Sequence, residues 1–230
     1  MELFLIDAIG PIFRGYDRKR VNWSKIPFMH LAYATEDDWA AINAELRTFT
    51  RGVTAQGYNA VTLDDLAHHP LHEPDVTARI SILREKFTGF FNLLRDEFCL
   101  KVHLTTDVLP MTPAVAAGID DNPLAINQYY RDLVCQVLDD FPLLSGLILR
   151  IGESDGNDVN DPIRTRLHLR DAKETNRLLH DLLPEFEKRG RDLIFRTWTV
   201  GATASAISFG TAIPSRKRSP AWIRRDSSFR

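Results

Sequence analysis

Glu153 is the residue whose type and position point most directly to chemistry. It stands in LILRIGESDGN, residues 147–157, where apolar residues around Arg150 give way to Gly152, a carboxylate and a Ser-Asp-Gly-Asn turn. A buried parallel strand stops in this way when its last residues face a ligand. Other acids recur at comparable stops: Asp7 after LFLI, Asp64 and Asp65 after AVTL, and Asp107 after VHLTT. Two carboxylates across one cleft suit acid/base work on a glycosidic bond, one protonated to release the leaving oxygen, the other acting as base or nucleophile. Glu153 is the better acid of the set, because desolvation at the end of an apolar strand raises a carboxyl pKa. The alternative for Glu153 is a purely local role, capping the turn that follows.

Several other residues bear on the same opening. Trp198 offers either a flat platform for a sugar ring or simply a core side chain. Arg150 suits an anionic group, and Asp64, Asp65, His68, His103 and Asp107 complete the candidate substrate contacts. Strand alternation pairs Arg150 with Ile148 and Gly152 but Glu153 with Leu149 and Ile151, so both face one mouth only if the strand stops by Gly152. A second enzyme chemistry comes from His68, His69, His72 and Glu73 in the loop LAHHPLHEPD, whose imidazoles and carboxylate would suit zinc. Their spacing is not the helical H-E-x-x-H, and solvated loop histidines are the alternative; no metal is expected.

The elements that must position these groups alternate in type. Leu3 to Ala8, Asn59 to Leu63, Leu100 to Thr105, the stretch at Leu147 and Leu193 to Thr197 read as five strands. Between them lie amphipathic stripes. Thr35 and Asp38 form a capping pair ahead of Trp39, Ile42, Leu46, Phe49 and Val53, with Gly57 as the stop. Ile80, Leu83, Phe87, Phe91, Leu94 and Phe98 mark a second helix. A third opens at Pro123 with Ile126, Tyr130, Leu133 and Val137, and a fourth runs from Asp171 through Leu178, Leu182 and Phe186, kinked or restarted at Pro184 and stopped by Gly190.

Strands alternating with helices predict a parallel sheet with right-handed crossovers. Neither G-x-G-x-x-G after the first strand nor a G-x-x-x-x-G-K-[ST] loop occurs, so no nucleotide cofactor is expected, and acids at successive strand ends favour a barrel over an open sheet. The expected fold class is α/β: a partial (β/α) TIM-type barrel of about five parallel strands over residues 1–202, with an irregular tail over 203–230. An eight-stranded barrel would need roughly 100 further residues, and those from Thr203 onward lack a helical stripe. That tail carries Arg216, Lys217, Arg218, Arg224, Arg225 and Arg230 against Asp226 alone. It reads as disordered or loosely docked, or as the altered end of a broken-off longer gene.

The motifs LILRIGESDG, VTLDDLAHHP, KVHLTTDVLP and LIFRTWTVGA together resemble the first half of barrel glycoside hydrolases similar to the α-glucuronidase-like families. The resemblance spans about residues 1 to 202 and implies that Glu153, at the end of the fourth strand, is the general acid. It also implies a base or nucleophile from later strands, which this chain does not carry. The implied substrate is a carbohydrate, with activity incomplete in the chain alone.

Composition excludes other classes. With 29 Lys and Arg against 31 Asp and Glu, the formal charge of -2 gives no reason for a nucleic-acid partner. No apolar run approaches the roughly 20 residues of a membrane span. The N-terminus lacks a basic leader and cleavage site, so cytoplasm is the default. Cys99 and Cys135 are expected as buried thiols. A third reading is non-catalytic: five strands leave two open sheet edges and an apolar face, which favours self-association with weak sugar binding through Trp198, Asp64 and Arg150.

Overall fold

The computed structural model describes residues 2–7, 35–64, 74–107, 110–111, 119, 122–150, 164–165 and 172–196. Its main sheet holds five parallel strands: β1 (Leu5–Asp7), β2 (Ala60–Asp64), β3 (Lys101–Asp107), β5 (Gly146–Arg150) and β7 (Asp192–Arg196), in the spatial order β1-β2-β3-β5-β7. The short pieces β4 (Pro110–Met111) and β6 (Arg164–Thr165) pair antiparallel in a separate ribbon that the sequence did not announce. Each main strand lies beside its successor in the chain, and the order never reverses. A doubly wound sheet would place a switch point somewhere in that order.

Four helices connect the strands. α1 (Glu36–Ala55) starts with the anticipated capping box: the Asp38 amide donates to Thr35 Oγ1, and the Thr35 amide donates back to the Asp38 carboxylate. Its expected stop, Gly57, takes φ 89, the left-handed conformation that glycine adopts without a Cβ clash. α2 (Pro74–Asn92) runs into a π-helical turn, Leu93–Glu97. α3 (Pro123–Asp140) has Pro123 in its first turn, with the Asn122 side chain accepting from the Leu124 amide. α4 (Ala172–Glu187) continues through Pro184 as one helix, where a restart was an equal expectation, and Gly190 (φ 61) closes it.

Every helix contributes to one apolar cluster. Trp39, Ile42 and Leu46 of α1, Phe87, Phe90 and Phe91 of α2, Tyr130 and Val134 of α3, and Leu178, Leu182 and Phe186 of α4 meet Val61, Leu63, Val102, Leu104, Leu147, Leu149 and Phe195 of the strands. Those strand residues fall on a single alternation, so all four helices cover the same face of the sheet. Phe91 packs edge-on against both Phe87 and Phe141, at centroid separations of 6.1 and 5.3 Å, which locks α2 over the end of α3.

The cysteines depart from expectation. Cys99 is exposed and Cys135 half-buried, and both are free thiols. After the π turn, Leu94 and Leu100 take the buried positions, and Cys99 between them adopts φ 56 on the outside of the bend.

Candidate functional site

The face of the sheet opposite the helices is largely polar, and toward the carboxyl edge its register forms three rows that carry the acids. Nearest the carboxyl edge, Asp107 aligns with Arg150 and Arg150 with Arg196, the last residues of β3, β5 and β7. One alternation back, Asp64 aligns with Thr105, Ile148 and Ile194. A second alternation back, Asp7 aligns with Thr62, His103, Gly146 and Asp192. Two residues of parallel strand amount to about 6.6 Å. The acids that end β1, β2 and β3 therefore climb in steps of about that size, and do not stand at one level. A tilted, staggered sheet has this property, and the strand ends could not reveal it one at a time.

The rows are tied together by polar contacts. Thr62 and Thr105 are both buried, and their hydroxyl oxygens lie 2.6 Å apart, a diagonal bond between β2 and β3. His103 is fully buried, with Nε2 3.1 Å from Asp192 Oδ2. These two residues are two strands apart in the same row, and the position between them is Gly146. The absence of a side chain there lets imidazole and carboxylate meet. Burial pushes the His103 pKa below the usual histidine value, opposed by the Asp192 carboxylate, so the ring is neutral near pH 7.

The structure thus separates residues that the sequence grouped. His103 lies four residues, about 13 Å, before the end of β3, where it braces the amino half of the sheet and does not stand beside Asp107. Asp64, Asp107 and Arg150 occupy the same alternation near the carboxyl edge, the first one step behind the other two. Glu153, Asp65, His68 and Trp198 lie outside the described residues, as do His69 and His72 and the tail 203–230. Among the described residues, no group of three or more His, Cys, Asp or Glu side chains is placed to hold a metal ion. No described helix is long and apolar enough to cross a membrane.

Sequence reasoning passed over two residues. Arg196 shares the row of Asp107 and Arg150, and its signal was present: it falls two residues after Ile194, on the alternation opposite Phe195. Asp192 left no comparable signal, since its partner His103 is 89 residues away.

The fold and rows define the described part of the chain as an α/β protein with a five-stranded parallel sheet, apolar and helix-covered on one face, largely polar on the other. Comparison with family models, curated proteins and solved structures returns no match.

Proposed function

We propose that residues 1–202 form part of a (β/α) barrel whose carboxyl edge binds a carbohydrate, and that the parent activity is hydrolysis of a glycosidic bond with Glu153 as proton donor. The observation that carries this reading is the row Asp107, Arg150, Arg196, with Asp64 on the same alternation, in a sheet whose strands follow chain order. Barrel strands are ordered in this way, and barrel active sites gather at the carboxyl ends of their strands. One acid beside two cations gives a ligand with many hydroxyls both acceptors and donors, and favours a sugar that itself carries a carboxylate. Glu153 follows Arg150, the last residue of β5, by three residues in the chain. Asp64, Asp65 and Asp107 are the candidate second carboxylates, and Trp198 the stacking surface.

The test is a panel of nitrophenyl glycosides that includes glucuronides, run on the wild type and on Glu153→Gln. Turnover that falls by about a hundredfold or more in the variant supports the assignment, provided both proteins melt alike. Turnover unchanged by Glu153→Gln removes Glu153 from the role.

The second reading is a non-catalytic, self-associating sugar-binding sheet. It draws on β1 and β7 being the terminal strands of the described sheet, since strand edges are templates for pairing with another chain. Absence of turnover together with concentration-dependent sedimentation favours this second reading. A metal-dependent reaction through His68, His69 and His72 would instead be abolished by a chelator.

A further inference from the structure

At the opposite, amino-terminal edge of the sheet lies a cleft of about 400 Å³, between the end of the π-helical turn and the segments that lead into β5 and β7. Three of its lining residues are cations: Arg95 from the turn, Lys101 at the start of β3, and Arg191 just before β7. No acid is among the residues that line it. Glu97 is paired with Arg47, and Asp192 meets Lys101 only at 3.8 Å while also serving His103. The cleft therefore carries an excess of positive charge in a chain that is slightly acidic as a whole.

A second observation is independent of the charge. One terminal nitrogen of Arg191 donates to the Pro142 carbonyl, which fixes the guanidinium, whereas its Nε is buried and has no acceptor. A guanidinium held in this way brings a fixed charge to the cleft that it lines. Beside it, Ser145 Oγ accepts from the Val102 amide, an arrangement that leaves the hydroxyl hydrogen to be donated elsewhere. Guanidinium, ammonium and hydroxyl donors around one opening form a set suited to a tetrahedral oxyanion. Leu100 and Leu143 supply an apolar wall on the same cleft.

We propose that this cleft binds a phosphate monoester, its phosphate held by Arg95, Lys101, Arg191 and Ser145 and its carbon skeleton laid against Leu100 and Leu143. The volume lies within the range of small-molecule sites. The site is separate from the carboxyl-edge row and does not depend on the glycosidase reading. Cys99 lines the same opening with an exposed thiol, so it reports on occupancy.

The experiment uses the full chain in 150 mM NaCl, with glycerol 3-phosphate, inorganic phosphate, sulfate and glycerol as calorimetric probes. Iodoacetamide labelling of Cys99 is followed in parallel, with Cys135 as internal reference. The expected result is that glycerol 3-phosphate binds more tightly than phosphate or sulfate, that glycerol does not bind, and that labelling of Cys99 alone slows severalfold. The paired substitution R95A/K101A should weaken binding by about tenfold or more, whereas R177A on the exposed side of α4 should not change it. Equal affinity for sulfate and glycerol 3-phosphate, equal binding by R95A/K101A, or no protection of wild-type Cys99 would each overturn the proposal. The labelling arm needs no variant, so misfolding of R95A/K101A leaves the test intact.

Discussion

Gly146→Ala is the most demanding test of the sheet as described. A Cβ at this position would lie 2.0 Å from the Asp192 carbonyl oxygen and 2.7 and 2.8 Å from its carbon and Cα. Ordinary contact begins near 3.4 Å, so the shortfall from the oxygen is about 1.4 Å. The obstructing atoms are backbone and cannot rotate aside. Relief must come from moving the start of β7 away from β5, and that opens two bonds at once: the Asp192 amide to the Ser145 carbonyl, 2.8 Å, and the Asp192 carboxylate to His103. A net backbone bond is worth about 1 kcal/mol, and a buried imidazole nitrogen left unsatisfied costs about 1–3 kcal/mol. Overpacking adds about 1–3 kcal/mol. Because these terms overlap, the expected loss is about 3–5 kcal/mol, a large part of a domain's stability. Urea denaturation at pH 8, followed by far-ultraviolet circular dichroism, measures it. The same chemical change at Gly52, an exposed position of α1 with nothing within 4 Å of an added Cβ, should stabilise by about 0.5 kcal/mol through helix propensity. A Gly146→Ala protein within about 1 kcal/mol of wild type would refute the β5–β7 register and the argument built on it.

Two further outcomes follow from buried charge. Glu185 of α4 is buried and accepts from Arg131 at 2.6 Å and Arg189 at 2.7 Å, with Lys188 also paired to it, and these cations hold its carboxyl far below the usual range. Glu185→Gln should cost about 2 kcal/mol at pH 7, below the usual cost of breaking a buried pair because Arg131 and Lys188 are 40% and 59% exposed. A depressed carboxylate stabilises fully above its unfolded pKa near 4.3 and loses that contribution progressively as pH falls toward the far lower folded value, so the gap between wild type and variant should begin to narrow below about pH 4 in parallel urea titrations. A gap as wide at pH 2 as at pH 7 would contradict the assignment. For His103, burial depresses the pKa, so the unfolded chain takes up its proton first. Stability is complete above about pH 6.5 and falls on acidification by at most about 1.4 kcal/mol per pH unit. His103→Gln should flatten that dependence between pH 5 and 7, and an unchanged slope would show that another group carries it.

The local architecture was legible because its signals are local. The Trp39, Ile42, Leu46 stripe and the Thr35–Asp38 pair specify α1 within one segment, and Pro123 and Gly190 mark boundaries by their own backbone preferences. The π-helical turn escaped because Leu93 and Leu94 are adjacent and both buried, which a 3.6-residue stripe cannot express. Cys99 escaped for the related reason that apolar neighbours in the sequence do not set a side chain's environment at a bend.

The alternation of strands with helices, the apolar face of each element and the charged residues at the strand ends are all written locally along the chain. All of these depend on neighbours within a few positions. The folded arrangement alone aligns Asp107, Arg150 and Arg196 in a row with Asp64 and Asp7 behind it, and brings His103 to Asp192 through the space left at Gly146. Those facts are properties of the register between strands 40 or more residues apart in the chain. Register is set by how helices and strands pack together, so no single segment contains it.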